Sequence, residues 1–382
     1  MKENKVLKIK TKNMAKADLW ILVIVLAITI FGVIMVYSAS YYSSLSENGN
    51  PYTYFIKQVG FVITGLLLLI LFWKIDYHKL IKLFWIPAYI LGLGLLVALL
   101  IPGIGTNAYG ATRWIYIGPM SIMPGEIAKP CLVLFLTGFF SKYRENTTSF
   151  VKCALPAGIA SGIYFLLIMK QPNMSTACTV LFIAAAMLIV AGMKMWQFSL
   201  CAVLGTGGAI GYIVTSEYRM RRVTGFLDPF AEDVRLDEGW NAVQSLLALG
   251  TGGVFGKGLG NSVQKNLYLP MPHNDFILAV IGEELGFVGI FILMAAYLWL
   301  FYKGFLVSVR AKDFEGMMLS FAITFWIAIQ TIVHFAVVTS SMPATGIVLP
   351  FISYGGNAMW IFMAVTGILL NISKQANEAR LG

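Results

Sequence analysis

Asp275 heads a long apolar stretch, preceded by His273 and, slightly earlier, by Lys257 and Lys265. Glu283 and Glu284 follow about two helical turns further on. Upstream, Glu126 and Lys129 are spaced i,i+3, which puts them on one helix face, and Arg113 comes just before them. Arg219, Arg221 and Arg222 open a later polar segment. Ionisable groups in or beside a bilayer are costly and usually functional. An acid at the mouth of a span can serve as a general base, and cations near it can hold phosphate oxygens. Plainer uses compete with these. Glu126–Lys129 could be a structural ion pair, Arg219–Arg222 an anchor for anionic headgroups, and Glu283–Glu284 acceptors for loop backbone. Asp275 could cap the helix it precedes. His273 has no second histidine nearby, which favours positioning over metal ligation.

The elements that must hold these residues are membrane helices. The chain has 382 residues, 58% hydrophobic and only 12% charged, against about 25% charged in soluble domains; its mean hydropathy is +0.77. A soluble enzyme, a disordered protein and a nucleic-acid binder are excluded. The net charge of +10 is read as a topology signal. Cys131, Cys153, Cys178 and Cys201 sit in apolar stretches without a CxxC, so neither disulfides nor zinc is expected. The fold class is therefore an all-α polytopic integral membrane protein. About ten spans of about 20 residues are expected, at 19–38, 55–73, 82–101, 126–141, 152–169, 176–192, 196–216, 276–302, 316–338 and 351–371. The fourth is the weakest by hydropathy, because it carries Glu126 and Lys129. The run from Leu19 to Val36 ends in Tyr37-Ser-Ala-Ser40, yet its length fits an uncleaved first span better than a signal peptide.

With the N-terminus in the cytoplasm, 18 of the 28 Lys and Arg fall on the cytoplasmic side. The positive-inside rule therefore places both termini there. The expected organisation is a basic segment 1–18, one membrane domain 19–373 and a tail 374–382. Two outward loops are long, about 102–125 and 217–275, and loops of that length usually do work. The second contains an amphipathic stretch, Trp240 to Leu249, too short to span and suited to a re-entrant or interfacial helix. It also contains a glycine series from Gly250 to Gly260. Lys257 is followed there by Gly258 rather than Ser or Thr, so this is not a Walker loop; turns and close backbone approach are the better use of its glycines.

Eight stretches in order carry a resemblance. They are Gly110-Ala-Thr-Arg-Trp-Ile-Tyr-Ile-Gly118 with Pro124-Gly-Glu-Ile-Ala-Lys129; Gln171-Pro-Asn-Met-Ser-Thr-Ala177; Tyr218-Arg-Met-Arg-Arg-Val-Thr-Gly-Phe-Leu-Asp-Pro229; Gln244-Ser245 with the glycine series; Gly260-Asn-Ser-Val-Gln-Lys265; Leu269-Pro-Met-Pro-His-Asn-Asp-Phe276; Gly282-Glu-Glu-Leu-Gly286; and Met342-Pro-Ala-Thr-Gly-Ile-Val-Leu-Pro-Phe-Ile-Ser-Tyr-Gly-Gly356. Over residues 18 to 373 the chain resembles the SEDS family (shape, elongation, division and sporulation), which includes FtsW, RodA and SpoVE. The wording around Arg222, Lys265 and His273 is closer to the FtsW/SpoVE branch. The resemblance implies a peptidoglycan glycosyltransferase that polymerises lipid II into glycan strands at the outer face of the bacterial cytoplasmic membrane, in division or sporulation. It puts the essential acid on Asp275 and the other important polar positions on Arg113, Glu126 and Lys129; Gln244, Ser245 and His273 are further expected substrate-binding positions. It also implies a class B penicillin-binding protein as partner, with other division or sporulation proteins, and no nucleic acid. The family often has Asp at the position of Asn173 and Gly at that of Ser175, and some members have Lys at that of Thr345.

Lipid II carries its sugar α-linked to pyrophosphate, and the polymer is β-linked. An inverting transfer needs one base for the attacking 4-hydroxyl. Its pyrophosphate leaves as a stable anion, so cations serve it better than the second acid of an inverting glycosidase. Asp275 is the expected base. Arg113, Arg219, Arg222, Lys257 and Lys265 are the expected pyrophosphate holders. A divalent cation, Mg or Mn, could share that work, and no other cofactor is indicated. Two rivals stand beside this reading: a lipid II flippase and a non-catalytic scaffold for a transpeptidase.

Overall fold

The computed structural model describes residues 17–108, 111–118, 120–214, 220, 226–231, 236–237 and 239–381. Arg219, Arg222 and most of the basic N-terminal segment lie outside them. The helices are α1 (Leu19–Asn48), α2 (Thr53–Lys74), α3 (Tyr77–Ala98), α4 (Pro124–Lys142), α5 (Leu155–Met169), α6 (Met174–Ala191), α7 (Met195–Val214), α8 (Trp240–Gly252), α9 (Ile277–Arg310), α10 (Phe314–Val338) and α11 (Gly356–Leu381). Among the described residues, eight segments are long and apolar enough to cross a membrane: α1, α2, α3, α5 with the short π-helical turn before it, α6, α9, α10 and most of α11. The protein is thus a multi-pass membrane protein. Helices α4 and α7 fall where the sequence places the remaining two expected spans.

Local chemistry sets several boundaries. The Asp76 carboxylate accepts from the His78 N–H, so α3 starts at Tyr77 rather than at 82. Asp313 caps α10 by accepting from the Gly316 N–H, and Pro124 occupies the first turn of α4, where its missing N–H costs nothing. Helix α1 continues through Tyr37-Ser-Ala-Ser40 to a left-handed Gly49. The last helix begins at Gly356 rather than 351, because Phe351 has φ 67° and Pro350 precedes it. It runs to Leu381, so the expected tail continues the helix.

The expected outer loop 102–125 holds a small antiparallel sheet in the order β1-β2-β3: β1 (Thr106–Ala108), β2 (Ala111–Ile117) and β3 (Met120–Ile122). Ile115 pairs with Ile122, and Trp114 pairs with Thr106. The amphipathic stretch from Trp240 is the short helix α8. Helices α9, α10 and α11 form the centre. In α11, 72% of the most apolar window is buried inside the protein, against 17% in α2 and in α3, which therefore present most of their apolar surface to lipid.

Helix α9 is broken. Gly286 takes φ 66°, ψ −165°, which frees carbonyls and N–H groups that hydrocarbon cannot satisfy. The glycine series repairs the break. The N–H groups of Lys257 and Gly258 donate to the carbonyls of Glu283 and Glu284, both at 2.9 Å. The N–H groups of Phe287 and Val288 donate to the carbonyls of Gly253 and Val254 at 2.9 and 3.1 Å. Side chains do not fit in such a splice. A Cβ on Gly256 would lie 2.2 Å from the Glu284 carbonyl, and one on Gly286 2.4 Å from the Gly256 nitrogen.

Candidate active site

Asp275 sits just before the N-cap of α9, which is Phe276 and has no side-chain cap hydrogen bond. The Asp275 carboxylate lies against the loop before α11. It faces Gly346, where a Cβ would come within 3.3 Å of Oδ2. Burial pushes the Asp275 carboxyl up to about 6, while the Arg113 guanidinium on β2 pulls it down. Arg113 also donates to the Pro172 carbonyl.

From Gly346 the polar groups lead inward. The ring Nδ1 of His334 bonds the Ile347 carbonyl at 2.7 Å, and Gln330 Nε2 donates to the Val348 carbonyl at 3.1 Å. Gln330 Oε1 accepts from Trp326 Nε1 at 2.9 Å and from Lys129 Nζ at 3.1 Å. Lys129 Nζ pairs with Glu126 at 2.7 Å. Next to Glu126, a Cβ on Gly125 would lie 3.7 Å from the Asn173 amide. Asn173 adjoins Pro172, the acceptor for Arg113. A ring of polar groups from α4, α6, α10, β2 and two loops thus links Asp275 with the Glu126–Lys129 pair.

Several buried atoms in this region find no hydrogen-bond partner among the described residues: Glu126 Oε2, His273 Nδ1, Asn274 Oδ1, His334 Nε2 and Thr345 Oγ1. Buried polar atoms are normally paired. Orphans of this kind mark a surface able to receive water or a polar ligand.

The other expected site residues divide. Glu126 and Lys129, only 7% and 2% exposed, join the ring as a buried pair. His273 is packed between rings rather than set to bind an ion: its centroid lies 4.5 Å from Tyr54 and 5.5 Å from Tyr354. Burial lowers its pKa to about 4, so it is neutral at physiological pH. Lys257 and Lys265 are not placed as free phosphate holders. Lys257 pairs with Glu283 at 2.7 Å. Lys265, 2% exposed, pairs with Glu284 at 2.7 Å and also donates to Ser38 on α1 at 2.9 Å. The reason is electrostatic: two carboxylates buried at a helix break need counterions and donors. Glu283 accepts further from Ser262 Oγ and from the N–H groups of Val263 and Gln264 at 2.5, 3.0 and 3.2 Å. Ser245, fully buried, donates to the Val338 carbonyl at 2.7 Å and so ties α8 to α10 instead of facing a substrate; Gln244 beside it is 6% exposed. Sequence reasoning missed Gly346, Gln330 and His334. Two of these lie four apart on a helix reading as apolar, and the third inside a proline- and glycine-containing loop.

A predominantly helical polytopic membrane protein with a carboxylate and an arginine at one end of a polar ring is the class these features define. The sequence profile of the FtsW/RodA/SpoVE family, described as cell cycle protein, matches residues 18–378, and the chain belongs to that family. It is 35% identical to the probable peptidoglycan glycosyltransferase FtsW of Geobacter sp. (strain M18), over 95% of this chain and 98% of that protein. It is also 35% identical to the stage V sporulation protein E of Bacillus subtilis (strain 168), over 95% and 99%. Its fold is similar to that of a chain in a peptidoglycan synthase complex that coordinates polymerization and crosslinking (TM-score 0.77, 23% identity, 94% and 98% covered). It is similar too to the rod shape determining protein RodA of Thermus thermophilus (TM-score 0.68, 24% identity, 94% and 97% covered).

Proposed function

We propose that the protein is a peptidoglycan glycosyltransferase that polymerises lipid II at the outer face of the cytoplasmic membrane. The observation that carries the reading is Asp275: a carboxylate raised to about 6, beside Arg113 and set against Gly346, where no side chain stands between it and the loop backbone. A base of that strength is well matched to taking a proton near neutral pH. In the inverting transfer, Asp275 removes the proton of the attacking 4-hydroxyl as that oxygen bonds the donor's anomeric carbon. The bond from that carbon to pyrophosphate breaks, and Arg113 stands to hold the departing anion. Glu126 and Lys129 shape the inner wall of the site. Arg219 and Arg222 remain candidates for the second pyrophosphate.

No group of three or more His, Cys, Asp or Glu that could hold a metal occurs among the described residues. A Mg or Mn ion at Asp275 would therefore take most of its oxygen ligands from the diphosphate and water. Transfer chemistry also fits a class B penicillin-binding protein as the partner that crosslinks the new strands.

The flippase reading would draw on the broken α9, since transporters often build sites from discontinuous helices. Here the break is filled by the chain's own backbone and its carboxylates are paired internally. One assay separates the readings. Purified protein, alone and with a class B penicillin-binding protein, is given labelled lipid II in detergent, with and without chelator. Glycan chains that disappear in Asp275→Asn support the enzyme. Movement of lipid II across vesicles without chains supports a flippase, and partner binding without either supports a scaffold.

A further inference from the structure

The segment that carries Asp275 is held from outside the polar ring. The carbonyls of the two residues before it are both engaged by one loop. Ser353 Oγ donates to the Asn274 carbonyl at 2.7 Å, and the Tyr354 N–H donates to the His273 carbonyl at 2.9 Å. The Leu349 N–H donates to Ser353 Oγ at 2.8 Å, which leaves the hydroxyl proton for Asn274. This loop is itself gripped by one side chain of α2. Gln58 Nε2 donates to the Ser353 carbonyl, and Gln58 Oε1 accepts from the Gly355 N–H, both at 3.3 Å. The amide orientation is fixed by these partners, because a flip would set oxygen against oxygen. Gln58 is fully buried and Ser353 4% exposed, so water does not compete for either. Tyr54, one helical turn before Gln58 on the same face, packs its ring on His273.

We propose that Gln58 and Ser353 are positioning residues for Asp275: they clamp the backbone of His273–Asn274 so that the carboxylate is presented to the attacking hydroxyl. The inference rests on the glycosyltransferase reading and adds α2, an otherwise lipid-facing helix, to the machinery. Both side chains are buried and committed to backbone partners, so their loss is expected in the chemical step. A misplacement of about 1 Å can cost roughly a hundredfold in rate.

The test uses the full-length protein in detergent with lipid II, and variants Gln58→Met, Ser353→Ala and their double, each assayed on its folded, monodisperse fraction. Thr366→Val is the control, since Thr366 is equally buried and donates to a backbone carbonyl within α11. The expected result is a kcat lowered roughly tenfold to a hundredfold with KM for lipid II unchanged. The double variant falls no further than the worse single, because both act through one loop, and Thr366→Val keeps the wild-type rate. If Gln58→Met is not recovered folded, Ser353→Ala, which removes a single oxygen, decides alone. Wild-type kcat in the clamp variants, a loss confined to KM, or an equal loss in Thr366→Val would overturn the clamp. A wild-type protein that makes no glycan would instead sink the activity itself. Wild-type polymerisation that is lost in Asp275→Asn but kept in the clamp variants sinks only the clamp.

Discussion

Asp275 and the Glu283–Glu284 pair lie on one stretch of chain, about two helical turns apart, and their surroundings are opposites. Glu283 and Glu284 are fully buried, each meets a lysine at 2.7 Å, and serine hydroxyls and loop N–H groups take up their remaining oxygens. Asp275 has an arginine nearby, a glycine across from it and orphaned polar atoms on the adjoining His273 and Asn274. The first arrangement holds a broken helix together. The second keeps a carboxylate underused, which is how a site retains capacity for a substrate. Sequence presents both as acids in a membrane segment; only satisfaction of their oxygens tells structure from chemistry.

The comparison breaks most sharply at Asp275. Asp275→Asn is expected to lower lipid II polymerisation by about a thousandfold, within the usual range for a general base. It is also expected to raise thermal stability. The folded pKa of about 6 lies above the ordinary 3.8, so ionising this group costs folded stability. That cost is absent below about pH 4 and complete above about pH 6, so the gain in Tm should appear at neutral pH and vanish in acid. An Asn variant that is less stable at neutral pH would put Asp275 with the structural acids.

The structural acids should behave the other way. Lys265→Met strands Glu284 in the interior and is expected to destabilise by about 3–5 kcal/mol, read as a lower Tm and poor recovery in detergent. Lys265→Met combined with Glu284→Leu should recover most of that loss. A Lys265→Met protein of normal stability that has lost lipid II binding would return Lys265 to the substrate site. Gly346→Ala probes the other side of the comparison. Its methyl would crowd Oδ2 of Asp275, and kcat should fall about tenfold with Tm little changed; full activity would mean the carboxylate does not work from this position. The smallest shift to be read is in the pH profile of Arg113→Gln, whose rate also falls because Arg113 holds the departing diphosphate. Removing the charge that pulls Asp275 down should move the acid limb of kcat/KM to higher pH, and a downward move would contradict the pairing.

Periodicity and charge made much of this legible. Eight of the ten expected spans, the i,i+3 partnership of Glu126 and Lys129, the short helix at Trp240 and the close-packing use of the glycine series all follow from local pattern. What pattern does not carry is which distant groups meet. Lys257 and Lys265 read as phosphate holders because nothing local shows that Glu283 and Glu284 turn back onto them across the helix break. Gly346 gains meaning only opposite Asp275. Gln58 looks like one polar residue in a lipid-facing helix until its amide is seen between Ser353 and Gly355. The start of α11 was displaced by a left-handed Phe351, a conformation that apolar patterning does not signal.

The most direct measurement is the pH dependence of kcat/KM for lipid II polymerisation by the purified wild-type protein. A general base at Asp275 predicts a single acid limb with half the activity lost near pH 6. His273 cannot be mistaken for it, because its burial puts its own titration near 4. Activity that stays level down to the pH where His273 titrates would contradict Asp275 as the base.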